Sequence, residues 1–281
     1  METKATSIFT MTLIGICILA PIVSAETAEE WTAKGISFGE SGEYEKAIEC
    51  FNKAVEECNK AIELNPNDAD AYNSRGFAYF CLCPDERAIK DFNRAIELDP
   101  NLADAYLQRG DAYFWSSRYE RAIKDFSKAI ELDPNNDDAY FFRGSVYYYL
   151  NQYEKAIEDC NIAIELNPTA ADAYLIRGFA YGQLKQYERE IEDYSKAIEL
   201  NPNEADAYFF RGYVYGQLKQ YEKAIEDFNR AIELNPNDAD AYHYRDLALS
   251  KSKKQKLMGF GTISTIVGLL AVAYLSRRRE E

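Results

Sequence analysis

The sequence is poor in the residues and motifs that most catalytic and metal sites need. Its 281 residues include one histidine, His243, and six cysteines without a Cys-x-x-Cys pair, so the ligand sets typical of zinc are missing. It has no glycine-rich phosphate loop and no nucleophile elbow. Basic residues are scarce, at 32 against 47 acidic ones, whereas a nucleic-acid binder needs a basic surface to displace counterions from phosphate. We therefore predict no enzyme, no cofactor, no metal site and no nucleic-acid partner.

Apolar side chains, by contrast, are abundant. Hydrophobic residues make up 47% of the chain and aromatic residues 14%, with 22 tyrosines among them. This composition supports a packed core and excludes intrinsic disorder as the main state. The net charge of −15 is unevenly placed, because a strongly acidic body lies between two apolar ends.

The N-terminal end reads as a secretory signal peptide at residues 1–25. An uncharged run at residues 7–20 is followed by Pro21 and by the small-x-small tripeptide Val23-Ser24-Ala25, which is typical of a cleavage site. The alternative is an uncleaved membrane anchor. Cleavage after Ala25 would export the body.

The C-terminal end contains a predicted transmembrane helix at 257–275. This stretch carries no charge, and as a helix it would span about 28 Å, close to the thickness of the hydrocarbon layer. A basic and acidic tail, 276–281, follows it. Gly259-Phe260, the apolar helix and Arg277-Arg278-Arg279 resemble the Pro-Gly-Phe sorting tails of archaeal surface proteins, although Met258 replaces the proline. That resemblance implies removal of the tail and lipid attachment, whereas the apolar stretch by itself implies a plain anchor, which we expect.

Orientation follows from the signal peptide more than from the charges beside the span. Four lysines precede the span and three arginines follow it, so the positive-inside rule barely discriminates. We predict a membrane-anchored protein with an extracytoplasmic body. The alternative is a cytoplasmic body, which the lysines at 251, 253, 254 and 256 would also suit.

A period of 34 residues organises the body. Tyrosine recurs at this interval, followed each time after four residues by glycine, and later by alanine and proline. The tyrosines are Tyr72, Tyr106, Tyr140, Tyr174, Tyr208 and Tyr242, and the glycines are Gly76, Gly110, Gly144, Gly178 and Gly212. This pattern resembles the tetratricopeptide repeat (TPR), an antiparallel helix pair. The resemblance implies an all-α fold, a right-handed superhelix (α-solenoid) of helix pairs, to which the predicted C-terminal transmembrane helix is added.

Six repeats are predicted, followed by a capping helix and a basic linker at 239–256. The repeats span 28–68, 69–102, 103–136, 137–170, 171–204 and 205–238. The first has one extra heptad, because residues 51–57 are nearly duplicated in 58–64. A small residue recurs on the second helix at Ala88, Ala122, Ala156 and Ala224, where it allows close helix approach, and Glu190 breaks this rule in the fifth repeat.

Two charged columns accompany the repeat. An arginine precedes each repeat glycine, and an aspartate follows that arginine by sixteen residues, on the second helix. The pairs are Arg75 with Asp91, Arg109 with Asp125, Arg143 with Asp159, Arg177 with Asp193 and Arg211 with Asp227. One interpretation is an arginine row that grips an anion. We predict instead structural ion pairs, because the two columns occur together.

Cysteine placement predicts buried thiols. Cys50, Cys58 and Cys160 fall at helix positions used for packing. Cys81 and Cys83 lie at a helix–helix turn and are the pair near enough in sequence for redox chemistry.

The TPR resemblance implies that the first helix of each pair lines a concave groove. The groove positions are mainly aromatic, and an aspartate flanks each of them at the helix start. They are Asn73, Phe77, Phe80, Leu107, Asp111, Phe114, Trp115, Phe141, Tyr148, Tyr149, Leu175, Phe179, Phe209 and Tyr213. Aromatic rings beside carboxylates suit a protein or peptide segment with apolar and basic residues. The alternative for each ring is packing between helices.

The sequence therefore predicts a membrane-anchored scaffold for protein–protein interaction. The alternative is a structural or glycan-binding component of the cell surface, since aromatic and acidic surfaces also occur in sugar sites.

Overall fold

The computed structural model describes residues 26–83 and 86–257, and every regular element in these ranges is a helix. This confirms the predicted all-α class. The chain divides into two compact units, one ending at Pro100 and the other beginning at Asn101. No helix within the described ranges is both long and apolar enough to cross a membrane. The predicted signal peptide and, apart from Leu257, the predicted span lie outside these ranges.

The first unit contains two antiparallel helix pairs. Its helices are α1 (Ala28–Glu40), α2 (Tyr44–Leu64), α3 (Ala69–Leu82) and α4 (Glu86–Leu98). The length of α2 is 21 residues, against 14 for the matching second helix at Tyr119–Leu132. The duplicated heptad therefore lengthens α2 by two turns, and its apolar face stays aligned because seven residues are close to two helical turns.

The second unit continues the same arrangement. Its helices are α5 (Ala103–Trp115), α6 (Tyr119–Leu132), α7 (Asp137–Tyr149), α8 (Tyr153–Leu166), α9 (Ala171–Gln183), α10 (Tyr187–Leu200), α11 (Ala205–Gln217), α12 (Tyr221–Leu234) and α13 (239–257). Within this unit α6, α8 and α10 each pack both on their own partner and on the first helix of the next pair. The lysine-rich stretch from 251, expected to be a linker, is helical to residue 257.

Local signals in the sequence explain several helix ends. Thr27 and Glu30 form a capping box at the start of α1, and Asp68 and Asn136 each accept a backbone N–H at the starts of α3 and α7. These bonds satisfy donors that the first helical turn leaves without partners. The turn between α5 and α6 places Ser117 at a φ of 58°, a left-handed conformation that a residue other than glycine adopts at some cost.

The repeat glycine lets the two helices of a pair approach closely. A Cβ at Gly110 would lie 2.7 Å from the ring of Phe126, which is fully buried. The alanines that follow the small-residue rule are also buried. Since interiors are packed to crystal-like density, these positions have no room for a larger side chain.

The arginine and aspartate columns pair within each repeat, as predicted. Arg143 donates from Nε and Nη2 to the two carboxylate oxygens of Asp159, both at 2.7 Å. Its remaining nitrogen, Nη1, donates to Ser127 Oγ on the preceding helix pair at 3.1 Å. Arg177 makes the same contacts with Asp193 and Asn161. Each of these arginines therefore joins three helices, and a structural role accounts for all of its charged nitrogens.

The last helix, α13, covers the end of the array. Tyr244 and Ala248 pack on Phe228 of α12, and Lys256 forms an ion pair with Glu222 at 3.1 Å. Asp246 takes the place of the repeat glycine, where it accepts hydrogen bonds from Arg245.

Candidate functional site

In the first unit, the predicted groove residues lie on α3. Phe77 and Phe80 are half-buried and stack with their ring centres 6.4 Å apart. Asn73 is buried, and its Oδ1 has no hydrogen-bond partner among the described residues. This patch is small, and its rings largely contact each other.

In the second unit, some of the predicted groove residues form a continuous run of ring contacts together with Phe210 and Tyr244. We call this run the aromatic row. Phe114 contacts Tyr149 at 5.4 Å between ring centres, and Tyr148 contacts Phe179 at 6.0 Å. Trp115 and Tyr149 are 65% and 55% exposed. The row comprises Phe114, Trp115, Tyr148, Tyr149, Phe179, Phe209, Phe210, Tyr213 and Tyr244.

The other predicted groove residues contribute more to packing than to an open surface. Phe141 is half-buried against Phe142, with 5.1 Å between the ring centres. Leu175 packs on the buried cluster that contains Tyr174 and Ala207. Leu107 is half-buried.

Asp111 brings a carboxyl group into the same helix layer as Phe114. Burial raises its pKa to about 6, and a hydrogen bond from the indole of Trp115 opposes that shift. Its Oδ1 has no hydrogen-bond partner among the described residues. The predicted acidic character of the groove therefore resides here in one shielded group rather than in a solvated cluster.

A second carboxyl group, Glu190, lies in a cavity of about 570 Å³ at the far end of the aromatic row. Tyr148, Phe179, Phe210 and Tyr194 line this cavity together with Glu190. Glu190 is only 8% exposed, and burial raises its pKa to about 7. The structure thus places a buried acid among aromatic rings. A carboxyl group whose pKa is raised by burial in a cavity is a candidate functional group.

The sequence interpretation missed four residues at this end of the row: Glu190, Tyr194, Phe210 and Tyr244. Glu190 was visible as an exception to the small-residue rule. Tyr194 shares a repeat column with Cys160, which was assigned to packing, Phe210 was not among the predicted groove positions, and Tyr244 lies on the capping helix. His243 beside it, the single histidine of the sequence, is exposed and contacts the ring of Tyr244.

The cysteines follow the predicted placement. Cys50, Cys58 and Cys160 are buried and free, whereas Cys83 is exposed. Burial raises the pKa of the Cys58 thiol to about 11 and that of the Cys160 thiol to about 12. In the described ranges, no group of three or more histidine, cysteine or acidic side chains is placed to hold a metal ion.

Comparison with family models identifies the chain. Models of the tetratricopeptide repeat match residues 28–58, 137–170 and 205–238, and the TPR repeat model matches 52–82, 85–115, 110–148 and 183–219. The chain belongs to the tetratricopeptide-repeat family. The PGF-CTERM motif matches residues 259–279, which confirms the resemblance of the tail to archaeal sorting signals. A search of the curated proteins gave no match.

Solved structures give the same fold. The crystal structure of YrrB, described as a TPR protein with an unusual peptide-binding site, is 29% identical, with a TM-score of 0.56, and covers 68% of this chain and 99% of its own. MamA from Desulfovibrio magneticus RS-1 is 26% identical, with a TM-score of 0.55, and covers 61% and 97%. The APC/C hetero-tetramer Cut9–Hcn1 matches with a TM-score of 0.65 at 20% identity, over 79% of this chain and 43% of its own, and this last likeness shows the fold alone.

Proposed function

We propose that the protein is a membrane-anchored scaffold that binds a segment of another protein along the aromatic row of the second unit. The observation that carries the proposal is the continuous run of half-buried and exposed rings from Trp115 to Tyr213. Aromatic side chains with large exposed faces supply much of the binding energy at protein interfaces. A solved TPR structure similar to this chain is described as having a peptide-binding site, which supports a peptide as the ligand class.

The partner segment should carry apolar residues and at least one basic residue. Apolar side chains would cover the rings, and a basic group would meet the carboxyls of Asp111 and Glu190. Burial raises the pKa of both carboxyls, and the interactions that oppose this shift are hydrogen bonds from the neutral side chains of Trp115 and Tyr194. Charge complementarity of this kind supplies specificity more than affinity.

The experiment is a peptide-binding titration with the full-length protein in detergent. Trp115→Ala and Tyr149→Ala should each lower the affinity for a peptide of alternating phenylalanine and lysine by about tenfold or more, as expected for interface hot spots. Tyr44→Ala is the matched control, because Tyr44 is 70% exposed and lies outside the aromatic row. Equal losses in all three variants would contradict the proposal. Binding of surface polysaccharide instead of the peptide would favour the glycan-binding alternative.

The proposed location of the body is outside the cell. The PGF-CTERM match and the predicted cleavage after Ala25 support export, followed by retention at the membrane. Protease added to intact cells should digest the repeats, and the mature N-terminus should begin at Glu26 by mass spectrometry. A protected body that retains Met1 would indicate a cytoplasmic adaptor instead.

A further inference from the structure

Two departures from the repeat pattern, Glu190 and Tyr194, coincide in the fifth repeat beside Gly182. Glu190 replaces the small residue of the second helix, which is alanine at the matching position of the second, third, fourth and sixth repeats. Tyr194 occupies a column that holds phenylalanine in three of the other repeats. Gly182 occupies a column that is aromatic in the second, third and fourth repeats and is again glycine, Gly216, in the sixth. Those matching residues are Phe92, Phe126 and Phe228 for Tyr194, and Phe80, Phe114 and Tyr148 for Gly182.

In the structure, Gly182 and Tyr194 both lie next to the carboxyl group of Glu190. The hydroxyl of Tyr194 donates to Glu190 Oε1 at 3.2 Å. A Cβ at Gly182 would lie 2.5 Å from the same oxygen, so the missing side chain leaves the space that the carboxyl occupies. Glycine at 182 and tyrosine at 194 therefore accommodate and orient Glu190.

Among the described residues, the hydrogen bond from Tyr194 only partly offsets the cost of burying this carboxyl. Glu190 is 8% exposed, and burying an acid without a cation destabilises its charged form. The other charged groups on the cavity wall are Lys185 and Asp240, and both are exposed. The influences on the Glu190 carboxyl are its burial and the hydroxyl of Tyr194, and Lys185 is not among them. A repeat selected only for packing would carry alanine here, as the neighbouring repeats do.

The rest of the cavity provides what an alkylammonium group requires. Rings of Tyr148, Phe179 and Phe210 line it, with 4.6 Å between the centres of Phe179 and Phe210. Aromatic faces attract a cation and also cover its methylene chain. We propose that this cavity receives the side chain of a lysine from the partner segment, with Glu190 as its counter-ion. The inference rests on the proposed function, because the cavity opens from the aromatic row.

The hydrogen bond from Tyr194 favours lysine over arginine. It engages Oε1 of Glu190 and leaves Oε2 as the principal free acceptor. A guanidinium group binds a carboxylate best through two parallel bonds to both oxygens, whereas an ammonium group needs a single point of contact.

The test compares two synthetic peptides that differ in one side chain, titrated into the full-length protein at pH 8. The probe is acetyl-Gly-Phe-Gly-Lys-Gly-Phe-Gly-amide, and norleucine replaces its lysine in the control, which keeps the chain length and removes the charge. We expect the lysine peptide to bind about tenfold tighter, a typical gain for a cation held by rings and a carboxylate. An arginine peptide should gain less.

Two variants locate the preference. Glu190→Gln keeps the volume and the hydrogen bond with Tyr194, and should abolish the advantage of lysine while leaving the norleucine peptide unchanged. Glu190→Ala restores the residue of the other repeats, so it should fold normally and show the same loss. In the wild type, lowering the pH from 8 to 6 should reduce the lysine advantage by roughly tenfold, since protonation of a carboxyl with a pKa of about 7 competes with the cation.

The outcomes separate the two proposals. If both peptides bind equally and neither Glu190 variant alters binding, the lysine site is refuted and the groove function stands. If neither peptide binds, the proposed function fails and the lysine site fails with it.

Discussion

The pairing of Arg143 with Asp159 gives a sharp test of how the helix pairs are held together. The two side chains are 19% and 7% exposed, and three hydrogen bonds of the guanidinium join α7 to α8 and α6. Replacing either residue by alanine leaves the other charge buried. Arg143→Ala should therefore destabilise the protein by about 3–5 kcal/mol, the range for breaking a buried ion pair.

Asp159→Ala should cost somewhat less, about 2–3 kcal/mol, because Arg143 is more exposed than Asp159 and can regain some water. In the double variant no charge is left stranded. The double variant should therefore be more stable than the sum of the single effects implies, with a coupling energy of about 2 kcal/mol.

Hydrogen exchange followed by mass spectrometry on the full-length protein is the suitable assay, because repeat arrays open locally. Protection should fall in α7 and α8 first. Glu131→Ala is the matched control, since the Lys128–Glu131 pair has the same 2.7 Å distance but is 35% and 69% exposed, and such pairs contribute at most about 1 kcal/mol. Additive effects of the two single variants, or a control as damaging as Asp159→Ala, would refute the pairing argument.

Three further outcomes follow from buried positions. Gly110→Ala should lower the free energy of unfolding by about 1–3 kcal/mol, because its Cβ would meet a buried ring at 2.7 Å. Gly216→Ala, whose Cβ would have nothing within 4 Å, should raise the free energy of unfolding by up to about 1 kcal/mol. Thermal melts that rank the two variants otherwise would contradict this. The pKa of Glu190 rises from 4.5 to about 7 on folding. Protonation of Glu190 therefore contributes its full amount to the free energy of unfolding below about pH 4.5, and this contribution is lost as the pH rises through 7. The free energy of unfolding of Glu190→Gln, relative to that of the wild type, should therefore increase by up to about 3 kcal/mol between pH 4.5 and 8, at about 1.4 kcal/mol per pKa unit. A difference that does not change with pH would be evidence against the burial of Glu190. An alkylating agent should label Cys83, which is exposed, well before Cys160, which is buried with a raised pKa, and early labelling of Cys160 in a peptide map would show that the helix pair opens.

The 34-residue period was sufficient to predict the helix pairs and the ion pairs. A helix pair is a local structure, so glycine, alanine and proline at fixed intervals indicate where helices begin, approach and end. The sixteen-residue offset between Arg143 and Asp159 predicted their contact because the same offset recurs in each copy. The duplicated heptad likewise predicted the longer α2.

The cavity around Glu190 could not be predicted in this way. It depends on residues from five helices, and Gly182, Tyr194 and Phe210 lie far from Tyr148 in the sequence. Periodicity identifies what the repeats share, whereas this site arises where one repeat differs. Asp111 gives a second example, because the hydrogen bond to its carboxyl comes from the indole of Trp115, and tryptophan occurs in this repeat column only in the third repeat.

The arginine contacts between neighbouring pairs also make the length of the array adjustable. The Nη1 of Arg143 bonds to Ser127, and the Nη1 of Arg177 bonds to Asn161, and these two acceptors occupy equivalent places one period apart. Excision of residues 137–170 would place Arg177 sixteen residues after Ser127. Ser127 already accepts a hydrogen bond from Arg143 at this sequence separation. The junction would then close with hydrogen bonds that the protein makes elsewhere. A gene encoding this chain could therefore lose or gain a single unit by unequal crossing-over without leaving a guanidinium stranded at the seam.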